Sequence, residues 1–250
     1  MMQKVISKRS AQLVVVVLCA AVVKVYYSTA GVNQLRWILA PTTVLVELVS
    51  GSRFEFESHA GYISSDRKFI IAASCSGVNF LITSFLMLSL GKLLRDRSRD
   101  IAWRFISCAA LCAYLATLVA NTIRISTALL LRPLPLDTNW LSQNQLHRFE
   151  GIFIYFGFLL LLFLVSEKIS SDDAPGSKNA SNLFRRLFCP LLFYYATTLG
   201  IPIANGAYRR GADFREHSLF VLLTPLVLIL LLAAFRFYRD RRAGESAGSC

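Results

Sequence analysis

Apolar runs about as long as a bilayer is thick recur along this chain, and no other feature limits its fold so tightly. Leu183 to Ile203 is one such run, close to the roughly 20 residues that carry a helix across a hydrocarbon core. Comparable segments extend from Gln12 to Tyr27, Phe69 to Leu90, Ile101 to Leu131, Phe149 to Val165 and Leu219 to Phe237. Backbone in lipid has to satisfy its own hydrogen bonds, so these runs predict helices. The expected fold class is all-α, a polytopic transmembrane helical bundle of about six spans. A shorter stretch, Trp37 to Val49, contains Pro41 and Glu47 and fits one short re-entrant or interfacial helix better than a further crossing.

Charge is used sparingly and locally. Only 17% of residues are charged, against about a quarter in an average soluble domain. The net charge of +12 could signal nucleic acid, but the basic residues flank the apolar runs, where they hold a topology in place. No basic, aromatic-rich stretch stands apart from those runs, which argues against a nucleic-acid partner. Lys92, Arg95, Arg97 and Arg99 mark the loop after the second span as cytoplasmic. Lys4, Lys8 and Arg9, the Lys168 to Arg186 region and the Arg236 to Arg242 tail fall on the same side in a six-span arrangement. The N-terminal run starts like a signal peptide but lacks a small-residue cleavage site, so it reads as a retained first span. The stretch Asp172 to Asn182 is rich in Ser, Asp, Gly and Asn and reads as a flexible linker. The expected division is a core at 1–168, a cytoplasmic linker at 169–182 and two C-terminal spans with a basic tail at 183–250.

Six cysteines are scattered, with no CxxC pair and no histidine at metal spacing, so neither a disulfide framework, a metal nor a cofactor is expected. Polar residues in the spans are costly and call for a reason. Cys75 sits in a small polar neighbourhood, Ser74-Cys75-Ser76-Gly77, about 9 Å below the outer end of the second span if that span is helical from Phe69. A cysteine there is either a small apolar residue or a thiol close to the outer interface. Asn121 and Arg124 arrive near the same side on the third span, one turn apart on one face. Arg124 either snorkels to headgroups or faces a polar site. His147 opens the fourth span; His59 and His217 also fall outside the bilayer, and topology does not choose among the three. A thiol, a guanidinium and an imidazole thus converge from different helices. The chemistry suits a thiol acyl-transferase, in which an imidazole takes the thiol proton and the thiolate attacks a peptide carbonyl. The guanidinium would then stabilise the oxyanion or orient a carboxylate, with Asn121 and Ser76 as supporting candidates.

These residues carry a resemblance. Cys75-Ser76-Gly77-Val78, Asn121-Thr122-Ile123-Arg124 and His147 followed by Gly151 resemble, in order and spacing, the exosortase/archaeosortase family of membrane cysteine transpeptidases. The front of the chain, Lys24 to Ala30, Gln34 to Trp37 and Phe54 to Glu57, is similar to the exosortase K branch in particular. The resemblance implies Cys75 as nucleophile, His147 as base and acid, and Arg124 as oxyanion or carboxylate partner. It also implies substrates: exported proteins with a C-terminal sorting tail, cleaved through a thioester that an acceptor amine or water resolves. By the same token the protein is expected in the inner membrane, multi-pass, with its site facing the periplasm or exterior.

Other classes fare worse. HExxH is absent, as is a Gly-x-Ser-x-Gly nucleophile. The non-enzymatic alternative is a membrane transporter or assembly factor with a polar pathway lined by Asn121 and Arg124. Inverted repeats or paired broken helices would favour it, and the sequence shows neither.

Overall fold

The structure is a computed structural model that describes residues 2–95, 102–132, 143–171, 181–206, 209 and 211–247. Within these, the side chains of 2–7, 143–144, 147, 170–171, 181–186, 212–213, 236–237 and 239–247 are not described. The linker residues 172–180, the Arg97 and Arg99 end of the basic loop, and Cys250 therefore lie outside the described residues.

In chain order come α1 (Met2–Thr29), α2 (Arg36–Ser50), β1 (Phe54–Glu57), β2 (Gly61–Ser64) and β3 (Ile70–Ile71). A 3-10 turn (Ala73–Cys75) leads into α3 (Val78–Arg95), followed by α4 (Trp103–Leu131) and α5 (Gln143–Ser171). Then come α6 (Ser181–Tyr195), a π-helical segment (Ala196–Gly200), α7 (Ile201–Ala204) and α8 (Ala212–Ala247). Among the described residues, six segments are long and apolar enough to cross a membrane: Lys8–Thr29, Ala73–Arg95, Trp103–Leu131, Arg148–Ile169, Leu187–Ala204 and Phe214–Phe235. The protein is an all-α polytopic bundle with one small antiparallel sheet, ordered β1-β2-β3.

α2 is the short helix foreseen from Trp37 to Val49. Pro41 has no N–H, so the carbonyl of Trp37, four residues earlier, loses its helical donor. The hydroxyl of Tyr114 on α4 donates to that carbonyl instead, at 2.9 Å, and the two rings stack at 5.9 Å between centroids. Thr42 and Thr43 are buried but bond back to the carbonyls of Ile38 and Leu39, so α2 hides its polar atoms internally. Glu47, a charge that weighed against a crossing, accepts the N–H of Phe54 at 2.7 Å and ties the end of α2 to the sheet. Ile38, Leu39 and Val46 of α2 join Ile71, Val78, Ile82, Leu118 and Ile125 in one core cluster.

A second cluster joins Phe80 and Met87 of α3, Ala120 of α4, Ile152, Phe156 and Leu159 of α5, Tyr194, Leu199 and Val221. The two C-terminal spans thus pack into the same bundle. Polar links reinforce the packing: Thr83 and Thr197 hydroxyls meet at 2.7 Å, and Tyr195 donates to the Leu222 carbonyl at 2.8 Å.

The second span departs from the expected helix. The second span is not helical from Phe69: Ile70–Ile71 pair with β2, and the helix begins only at Val78. The register is set by the sheet, Ile63 opposite Ile70 and Tyr62 opposite Ile71. Cys75 consequently sits on the turn that precedes α3 instead of one and a half turns inside it.

Candidate active site

The Cys75 turn is short because Gly77 ends it. Gly77 has φ +73°, a left-handed value that favours glycine, while Ser76 before it is right-handed. A side chain at Gly77 would also press on Thr117, Asn121 and the Tyr155 hydroxyl, all within 3.3 Å of its Cβ position. Both constraints select glycine, and together they bring the turn hard against α4 and α5.

Asn121, fully buried on α4, donates from Nδ2 to the Cys75 carbonyl at 2.6 Å. In a continuous helix that carbonyl would accept the N–H of Asn79. Among the described residues, the N–H groups of Gly77, Val78 and Asn79 donate to no acceptor, so the donors that open α3 remain available where these three residues line a cavity. The Tyr155 hydroxyl donates to Asn121 Oδ1 at 2.8 Å and accepts from Arg124 Nη1 at 3.3 Å. The guanidinium lies 5.4 Å from the Tyr155 ring centroid, and the ring stacks on Phe80 at 5.0 Å. Tyr155, Cys75 and buried Glu150 all lie within electrostatic range of Arg124. On the far side Arg124 is held over Gly151, where a Cβ would come within 3.0 Å of Nε.

Beside this arrangement is a cavity of about 250 Å³. Ser74, Gly77, Asn79, Arg124, Arg148, Tyr155 and His217 are among the residues that line it. Lys24 of α1 fixes the Asn79 carboxamide by donating to its Oδ1 at 2.7 Å. At the mouth of α5 and α8, Glu216 holds Gln145 at 3.2 Å and Arg148 at 3.8 Å.

Of the residues singled out from sequence, Cys75, Asn121 and Arg124 come together. His147 lies in α5, four residues before Gly151, and its side chain falls outside the described residues. His59 is on the exposed hairpin tip, 3.3 Å from Glu57, away from this cavity. His217, which sequence alone could not rank, lines the cavity. Ser76 is fully buried, does not line the cavity, and its hydroxyl has no hydrogen-bond partner among the described residues. No cluster of metal-ligating side chains occurs among the described residues.

A family model described as transmembrane exosortase matches residues 3–164. The chain belongs to the transmembrane exosortase family. No curated protein and no solved structure matches it. The exosortase match spans α1 to most of α5 and so contains Cys75, Asn121, Arg124 and Tyr155, whereas Tyr194 and His217 of the cavity wall lie beyond it. Tyr155 and Glu150 escaped the sequence reading. A tyrosine and a glutamate near a span end look like interfacial residues, and only their spacing from Gly151 hints at a shared face.

Proposed function

We propose that this exosortase is a membrane-embedded cysteine transpeptidase or protease that cleaves the C-terminal sorting tails of exported proteins through a thioester on Cys75. The observation that carries this reading is the capture of the Cys75 carbonyl by Asn121 beside the Arg124 cavity. That bond leaves the backbone N–H groups of Gly77, Val78 and Asn79, three residues that line the cavity, without acceptors among the described residues, and Cys75, half-buried, stands just before them in the chain. In the first step the Cys75 sulfur attacks the scissile carbonyl carbon, and its proton passes to an imidazole. The C–S bond forms, negative charge collects on the carbonyl oxygen, and Arg124 with the first-turn N–H groups of α3 stabilises it. The C–N bond then breaks, and the leaving amine takes the proton from the imidazole. An acceptor amine or water attacks the thioester carbonyl, and the sulfur leaves as a thiol. His147 is the base and acid by the family resemblance.

The cavity is small, at the low end for ligand sites. Only the residues flanking the scissile bond would enter it, while the tail's transmembrane helix stays in lipid. The active face would be the outer face of the inner membrane.

The test is processing, in cells, of an exported reporter bearing a short motif, a transmembrane helix and a basic end. Wild type is expected to shorten the reporter, and Cys75→Ser and Cys75→Ala to leave it intact. Full processing by Cys75→Ser would end the catalytic assignment.

A further inference from the structure

Rotating the Asn121 side chain by half a turn would exchange its oxygen and nitrogen, and the site would then fail. Carbonyl would face carbonyl at Cys75. What prevents this is the direction of the proton chain. Arg124 is a donor with no acceptor capacity, so the Tyr155 oxygen must accept from it. A phenol has a single proton, and Tyr155 spends it on Asn121. Asn121 must therefore present Oδ1 to Tyr155 and Nδ2 to Cys75. The guanidinium at one end, which only donates, and the Cys75 carbonyl at the other, which only accepts, demand the same polarity, and Tyr155 is the element that joins the two.

We infer that Tyr155 is a positioning residue that holds Asn121 against the Cys75 turn and thereby sets the presentation of the Cys75 thiol, linking the turn to Arg124. The inference rests on the proposed role of Cys75 as nucleophile. The Tyr155 ring is independently fixed by stacking on Phe80, so removing its hydroxyl leaves that packing in place. The three links are unequal: 2.6 Å at Cys75, 2.8 Å at Asn121 and 3.3 Å at Arg124. The longest is the one nearest the cavity, so a group that draws the guanidinium away releases the relay at its head while Asn121 keeps hold of the turn.

The test uses the full chain in membranes, with every cysteine but Cys75 replaced by alanine, and iodoacetamide as probe at neutral pH. No substrate is needed, so the result stands whether or not tail processing is the activity. Tyr155→Phe is expected to slow alkylation of Cys75 about three- to tenfold, the scale of one or two hydrogen bonds. Asn121→Ala should slow it to the same degree, and the double variant no further, because both break one chain. In tail processing Tyr155→Phe should lower kcat and leave KM unchanged. A merely structural loosening predicts the opposite pattern: faster alkylation through greater exposure, with additive effects. Wild-type or faster alkylation in both single variants overturns the inference. Intact processing by Cys75→Ala would overturn the enzyme reading alone.

Discussion

The two middle spans and the last two obey different rules. Half of the most apolar window of the Ala73–Arg95 span is buried inside the bundle, whereas for Leu187–Ala204 and Phe214–Phe235 the share is 17%. Polar chemistry follows burial: Asn121 is fully buried and Arg124 half-buried against it, while α8 shows Leu219, Leu223, Leu230 and Phe235 outward. Without a hydrophobic drive between helices in lipid, a buried polar group is held by defined partners. The middle spans are therefore specified atom by atom, and the outer pair mainly by volume and greasiness.

That contrast can be broken by substitution. The largest effect is expected at Arg124. Arg124→Lys keeps the charge but loses the planar fork, and kcat/KM for tail processing should fall about 100-fold, the scale of a lost oxyanion donor. A fall of less than tenfold would mean that a point charge suffices. Gly151→Ala should cost about tenfold, since its Cβ displaces Arg124 by a few tenths of an ångström. Helix propensity favours alanine by about 1 kcal/mol, so thermal stability should hold while activity drops. A parallel loss of both would refute the contact as the cause.

In the outer pair, Thr197→Val removes the Thr83 partner. The expected cost is about 1 kcal/mol, or roughly 2–4 °C in Tm for a chain of this size, with processing unchanged. A large loss of processing would show that the outer pair is held as tightly as the middle. The smallest effect lies in the hairpin. Donation from the Ser64 hydroxyl, then from the Lys68 N–H, holds the Asp66 carboxyl below the usual carboxylate range. A depressed folded value means a contribution present above the unfolded value of about 3.9 and lost as pH falls through the folded one. Amide exchange at Lys68 and Phe69 should therefore quicken as the pH drops below that range in wild type, and show no such step in Asp66→Asn.

Much of this was legible in the sequence, for definite reasons. Span length is fixed by the bilayer, so six crossings could be read by counting, and Asn121 with Arg124 stood out because polarity in lipid is expensive. The sheet was not foreseen, although Phe54-Glu55-Phe56-Glu57 alternates with the period of a strand. Set in an otherwise greasy chain, four residues are too few to announce themselves. The misplacement of Cys75 has the same origin: Phe69 to Ala73 is apolar enough to pass for helix, and only pairing with β2 pulls it out. Choosing His217 for the cavity wall required knowing that α8 returns to α5, a fact of packing that no local pattern encodes.

The segment between Ile71 and Cys75 is pinned at both ends, by a fully buried strand residue and by the grip of Asn121 on a carbonyl. It is a spacer of fixed length. In a 3-10 turn each residue advances the chain by about a third of a revolution, so one inserted or deleted residue would swing the thiol to another side of the turn. The hairpin tip at Ser58 to Ala60 carries no such restraint, since a longer loop there costs only slowly rising closure entropy. Length variation should therefore be written into the tip and forbidden in the spacer, however freely the residue types within the spacer drift.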